Sequence, residues 1–288
     1  MRGIKTLVYF DIEATGLKSS GRPRITELSL VAVNMEDTSN LFFEIEHLLE
    51  HGKSEGILLQ LENLQPRIVN KLTLCVYPMA TIVPLVSEIT GLDNYMLDGH
   101  SKFSKSTGSL INSFLSHLPS PVCLVAHNGD AYDFPLLKAE MEKVNTPLDP
   151  MILCVDSYTG IRSIYKKKAE ETQEETSPNK LSIDCGKKII QRNWSVAFCK
   201  NRITNQPFSG KFGSVKKMKI SPLCIPSSFS LVNLHNHLLG FPPLKSHGAE
   251  ADCLTLLRTT AAFGQDWLDW VEENCYFIEE CKAMWHIV

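Results

Sequence analysis

The sequence predicts an α/β fold, a mixed sheet flanked by helices, and two observations predict it. The chain opens with strand-like runs at Ile4–Ile12, Ile25–Val33 and Leu41–Ile45, with Gly16 and Gly21 as turn positions, a hairpin-rich antiparallel start. Helical and strand patterns then alternate around Val122–Ala126, a short, wholly apolar run of the kind found in a central strand covered on both faces.

The helices follow from periodicity. Ser109–Leu118 places Leu110, Phe114, Leu115 and Leu118 on one face. Phe134–Val144 is amphipathic. Ser230–Leu239 has Ser230 as its N-cap and Gly240 as its C-cap. Ala249–Phe263 and a polar-faced Trp267–Cys281 complete the set. Residues 160–225 interrupt the pattern. Lys166–Asn179 (KKKAEETQEETSPN) is polar and charged, so a disordered segment or loop is expected there. Residues 180–225 keep Ile189, Ile190, Trp194, Val196 and Phe198, enough for some order. The reading is one domain over residues 1–288, with 160–225 as a basic, partly flexible insertion.

Composition narrows the class. The chain has 288 residues, 43% hydrophobic and 21% charged, which suits a soluble globular protein. No apolar run approaches the roughly 18 residues of a membrane span, and no signal-peptide pattern precedes the first strand. No membrane partner is therefore expected. Nine cysteines, an odd number without a Cys-x-x-Cys pair, argue against a disulfide framework or a zinc ribbon. Reduced thiols fit an intracellular protein of nucleus or cytoplasm. The net charge is −3, but it is segregated. Residues 160–222 hold 14 of the 29 Lys and Arg and 5 of the 32 Asp and Glu, a net +9 against −12 for the remainder. An acidic body gathers cations, and a basic segment can hold a polyanion. A solvated basic loop without a partner explains the same charges.

Three motifs carry chemistry. Asp11 and Glu13 end the first apolar strand two residues apart, so their side chains share a face. Carboxylates so placed repel, and a hard divalent cation relieves them. Taken singly, they are better read as exposed strand-end carboxylates. Next, His127-Asn128-Gly129-Asp130-Ala131-Tyr132-Asp133-Phe134 follows the buried strand. Pro135 fits only a first helical turn, so Asp133 sits at a helix start beside the mouth of a central strand, where ligands gather in α/β sheets. A plain N-cap carboxylate is the alternative reading there. Last, His247-Gly248-Ala249-Glu250-Ala251-Asp252 sets a histidine on a loop that Gly248 leaves free to turn. Asp252 lies in the first turns of an apolar helix, where an inward carboxylate needs a partner, although this motif alone is better read as a solvent-facing histidine and a helix-start aspartate. Leu234-His235-Asn236-His237 spells a nuclease name but lies on one helix, where His235 and His237 diverge by about 200° and cannot share a metal.

In this order and setting the motifs resemble the DEDDh exonuclease superfamily, and within it the three-prime repair exonuclease branch. Phe10–Leu17 (FDIEATGL), Leu124–Asp130 (LVAHNGD), Tyr132–Leu137 (YDFPLL), Ile89–Leu92 (ITGL) and the Ser246–Asp252 stretch carry the likeness, which covers residues 4–158 and 226–275. Ala131 stands where several relatives carry arginine. The resemblance implies an RNase H-like fold and 3′→5′ exonuclease activity on single-stranded DNA or on frayed and mismatched duplex 3′ ends, releasing 5′-nucleotides. It implies two Mg²⁺ ions, replaceable by Mn²⁺, held by Asp11, Glu13, Asp133 and Asp252, with His247 as general base. It further implies that Leu17 and Ile89 wedge against terminal bases, and that backbone near Ala14 and Thr15 fixes the 3′ hydroxyl. Tyr132 and His127 would touch phosphates or support the metal site. A homodimer formed by continuing the sheet is also implied. Lys187–Lys219 is the expected grip on the upstream strand. Two alternatives stay open: a 3′→5′ exoribonuclease, since nothing in the sequence shows how a 2′ hydroxyl is treated, and a nucleic-acid-binding protein with a dead site.

Overall fold

A computed structural model describes residues 2–51, 56–67, 69–175, 225–243 and 247–285. Six strands form one mixed sheet: β1 (Thr6–Ala14), β2 (Ile25–Asn34), β3 (Asn70–Cys75), β4 (Val122–Ala126), β5 (Leu153–Asp156) and β6 (Tyr276–Phe277), in the spatial order β3-β2-β1-β4-β5-β6. β1, β4 and β5 run parallel, while β2, β3 and β6 join antiparallel. The apolar central strands thus carry the parallel pairings, as their hydrophobic runs require.

The two-residue period of β1 sorts the core into two layers. Leu7 and Tyr9 face one side, where they pack with the helices α1 (Met35–His51), α6 (Ser157–Glu175), α7 (Leu231–Leu239), α8 (Ala249–Ala261) and α9 (Gln265–Asn274). Val8, Phe10 and Ile12 face the other, against α4 (Lys105–Ser116) and α5 (Asp133–Lys143). Two short helices, α2 (Ile57–Asn63) and α3 (Pro84–Thr90), complete the described elements, and α3 buries no residue. No helix among the described residues is long and apolar enough to cross a membrane.

Three expectations are corrected. The strand expected at Leu41–Ile45 is part of α1. Leu41, Phe43 and Ile45 imitate strand alternation, but Thr38, Leu41, Ile45 and Leu49 are buried at helical spacing while Phe43 is exposed. Lys166–Glu175, expected to be disordered or a loop, continues α6. Buried Ile161, Ile164 and Tyr165 anchor that helix, and its charged continuation is rich in good helix formers, with Lys168 paired to Asp266. The helix expected over Trp267–Cys281 stops at Asn274. The chain there extends into β6, whose Tyr276 and Phe277 close the sheet beside Cys154 and Leu153. A two-residue strand has no periodicity to read. Residues 176–224, with the expected strand grip at Lys187–Lys219, lie outside the described residues.

One ion pair joins the two sides of the β1–β2 connection to α5. Arg24 Nε and Nη2 donate to Glu140 Oε1 and Oε2 at 2.5 and 2.9 Å, and the Glu140 side chain is fully buried. Burial raises the Glu140 carboxyl, and Arg24 opposes that rise. Removing the arginine would strand a buried carboxylate. Arg24→Ala should lower unfolding free energy by about 3 kcal/mol, read from urea denaturation, with Glu140→Gln in the same background recovering part of the loss.

Candidate metal centre and active site

Asp11 and Glu13 continue the face of Leu7 and Tyr9, beyond the last residue of β1 that pairs with β4. They therefore point toward the layer that contains α8. That helix packs across β1 and β2, and its first turn presents Asp252. Carboxylate oxygens of Asp11, Glu13 and Asp252 all lie within 4.8 Å of one another. Asp133 arrives from the other layer, at the start of α5, where the backbone of Ile12, between the first two acids, counters the rise that burial gives its carboxyl. The β4–α5 turn that places it requires Gly129. A Cβ there would meet the Ala126 Cβ at 2.6 Å and the Phe134 ring at 2.8 Å.

These four acids shape one another's protonation. Burial pushes the Asp11 carboxyl well above its ordinary range, and the neighbouring charges of Asp133, Asp252, Glu13 and Glu27 push it further. Glu13 is pushed up to about 7 by burial, then by Asp252 and Glu27. Asp133 is raised by burial, with Asp156 and Glu13 adding to it. Asp252 is raised by burial too, opposed by the His247 N–H and the His247 ring. The charges named on Asp11 are all negative. A half-buried cluster of hard oxygen donors that repel one another has the donor chemistry of a divalent-cation site, and the residues fit such an ion.

His247 lies at the rim, exposed, with its N–H donating to Asp252 Oδ2 at 3.1 Å. Its φ of 62° is left-handed, uncommon for a residue other than glycine. Leu17 and Ile89 are both exposed apolar side chains, 66% and 49% accessible. Ala14 and Thr15 are buried. Thr15 is committed to Arg24 twice, its N–H donating to the Arg24 carbonyl at 2.9 Å and its Oγ1 accepting from the Arg24 N–H at 3.1 Å. Tyr132 sits at the N-cap of α5 and donates its hydroxyl to the Gly16 carbonyl, bridging the two motifs. His127 follows β4 with both ring nitrogens engaged. Nε2 lies 2.9 Å from the Phe229 carbonyl and must donate to it, which leaves Nδ1, 2.9 Å from Ser157 Oγ, to accept. Burial lowers its pKa and favours that neutral form. His235 is buried in α7 with Nδ1 near the Phe241 carbonyl, a structural residue.

Three acids escaped the sequence reading. Glu27, on β2, stands opposite Glu13 and accepts from the Ala249 N–H at 2.9 Å. Asp156, at the end of β5, accepts from the N–H groups of Asn128 and Tyr158 and orders the turn that leads to Asp133. Glu250 takes Lys71 and Thr73 of β3 on its two oxygens. A lone charged residue inside an otherwise uncharged strand was the available signal for Glu27.

The raised carboxyls give a signed pH dependence. Glu13 rises from 4.5 to about 7 in the fold. Its contribution is fully present below about pH 4.5 and is lost as pH climbs through about 7. In chelator, the protein should lose on the order of 2 kcal/mol between pH 5 and pH 8 from this group. Added Mn²⁺ should raise the melting temperature more at pH 8 than at pH 5, measured by calorimetry.

No protein-family model matches the chain. It is 31% identical to "Three-prime repair exonuclease 1" of Bos taurus, over 99% of this chain and 71% of the relative. Two solved structures share the fold. Escherichia coli exonuclease I, in a zinc-bound complex with single-stranded DNA, is 11% identical with a TM-score of 0.54, covering 93% of this chain and 42% of that one. The nuclease domain of 3′hExo, a DEDDh family member bound to rAMP, is 12% identical with a TM-score of 0.52, covering 92% and 94%. The mixed sheet flanked by helices is thus the RNase H-like fold of the DEDDh nucleases. With 31% identity to the Bos taurus protein over 99% of this chain, and with this fold, the chain belongs to the three-prime repair exonuclease family and is a 3′→5′ exonuclease.

Proposed function

We propose that the chain removes nucleotides one at a time from single-stranded DNA and from frayed or mismatched duplex 3′ ends, with Asp11, Glu13, Asp133 and Asp252 holding two Mg²⁺ ions. The carrying observation is the convergence of Asp11, Glu13 and Asp252 within 4.8 Å. A structural relative described with single-stranded DNA supports the substrate class. Two bound Mg²⁺ ions, replaceable by Mn²⁺, would offset the clustered negative charge and stabilise the attacking and leaving oxygens at phosphorus. His247, exposed at the rim and tied by its backbone to Asp252, takes the proton of the attacking water. Leu17 and Ile89 offer apolar surface on which any base can stack, so base preference is weak. The Ala14–Thr15 backbone, braced by Arg24, sets the place of the 3′ hydroxyl. Tyr132 holds the Asp133 helix start against the Gly16 turn beside them.

A homodimer belongs to the same reading. β3 is an outer strand of the sheet, with Asn70, Lys71 and Thr73 exposed, and an open edge of this kind can pair with a second copy. Sedimentation should give twice the 32.3 kDa chain mass.

A time course decides the activity. With a 3′-labelled single strand, mononucleotide should appear first. A 5′-labelled strand should shorten as a ladder, and chelator should stop both. A ladder that shortens from the 5′ end, or cleavage that persists in chelator, refutes the reading. An RNA strand run in parallel reads the sugar preference. His247→Ala should lower kcat by about 10²–10⁴-fold while Mn²⁺ still binds. Asp11→Asn should abolish most turnover and raise the melting temperature of the chelated protein, because it removes one of the repelling charges.

A further inference from the structure

Glu27 has no part in the mechanism above, yet it touches the element on which that mechanism turns. α8 must hold Asp252 against Asp11 and Glu13, and its first turn begins with unpaired N–H groups. Its N-cap is Gly248, which has no side chain to satisfy them. The cap comes instead from the sheet. Glu27 Oε2 accepts from the Ala249 N–H at 2.9 Å, three residues before Asp252. Its other oxygen, Oε1, faces the Cys75 thiol of β3 at 3.9 Å. Glu27 stands opposite Glu13 in the β1–β2 register, so the same side chain abuts one carboxylate of the cluster and braces the helix that carries another. Like Asp133, it lies outside the set of oxygens that meet within 4.8 Å, but unlike Asp133 it spends an oxygen on the Ala249 N–H.

We infer that Glu27 is a positioning residue. Its carboxylate docks the first turn of α8 on β2 and so sets the separation of Asp252 from Asp11 and Glu13. A negative charge at a helix N-terminus is favourable in itself. The anchor falls just after the His247–Gly248 pair, whose His247 N–H donates to Asp252 Oδ2. The inference rests on the metal-site reading given above.

The test compares Glu27→Ala, which removes the acceptor, with Glu27→Gln, whose side-chain carbonyl still accepts from Ala249. Amide exchange in metal-free protein reads the anchor directly. Exchange at Ala249–Asp252 should accelerate in Glu27→Ala and stay near wild type in Glu27→Gln. Mn²⁺ affinity by calorimetry should fall by about 10–100-fold in Glu27→Ala, and kcat should drop with KM for the oligonucleotide unchanged. Glu27→Gln should restore most of each. If Glu27→Ala fails to fold, Glu27→Asp, one methylene too short to reach Ala249, takes its place. Wild-type exchange and Mn²⁺ affinity in Glu27→Ala would overturn the inference. So would a Glu27→Gln that binds Mn²⁺ as poorly as Asp252→Asn while its exchange stays normal, which would make Glu27 a ligand. A wild type that cleaves no DNA, beside a Glu27→Ala that still frees the Ala249 amide, would sink the exonuclease reading and leave the anchor standing.

Discussion

Like-charge repulsion among carboxylates withdrawn from water is the constraint on which this fold is organised. Left to relax, four such groups would separate or take up protons. They do not separate because each is fixed by an element that cannot move alone. Asp11 and Glu13 belong to a strand paired on both sides. Asp252 belongs to a helix packed across β1 and β2. Asp133 belongs to a helix whose first turn is wedged by Gly129 and tied by Tyr132. The repulsion is therefore held in the framework, and a divalent cation finds a site already shaped for it.

The two faces of β1 divide the work. The even residues Val8, Phe10 and Ile12 bury against α4 and α5 and supply cohesion. The odd residues begin in the opposite core with Leu7 and Tyr9, then change from apolar to acidic as the strand emerges past β4. One alternating pattern thus serves packing at one end of the strand and chemistry at the other. The parallel strands β1, β4 and β5 all direct their carboxyl ends to this region, and Asp156 at the end of β5 orders the turn from β4 into α5. The histidines divide similarly. His127 is fixed by partners on both ring nitrogens, whereas His247 lies in the open on a left-handed backbone.

Much of this was legible in the sequence because it is local. Strand alternation places Asp11 with Glu13, and the proline after Asp133 fixes a helix start. β4 is visible as a bare apolar run. What could not be read depends on partners distant in the chain. Leu41, Phe43 and Ile45 satisfy two periods at once, and only the packing of Leu41, Ile45 and Leu49 against the sheet selects the helix. β6 exists because β5 offers it an edge. Glu27 gains its importance from a helix more than two hundred residues later. The ring partners of His127, Ser157 and Phe229, lie 30 and 102 residues further along the chain.

The register of β1 carries a consequence for how the gene can vary. Side chains on this strand alternate between a wet acidic mouth and a dry core, and the register shift falls after Glu13, not before it. Adding or dropping one codon between Thr6 and Phe10 would turn both acids into the α4–α5 core and send Phe10 and Ile12 toward the cation site. Point changes along the same stretch disturb one contact apiece. Natural variation in this strand should therefore consist of replacements, with length changes confined to the loop that follows it.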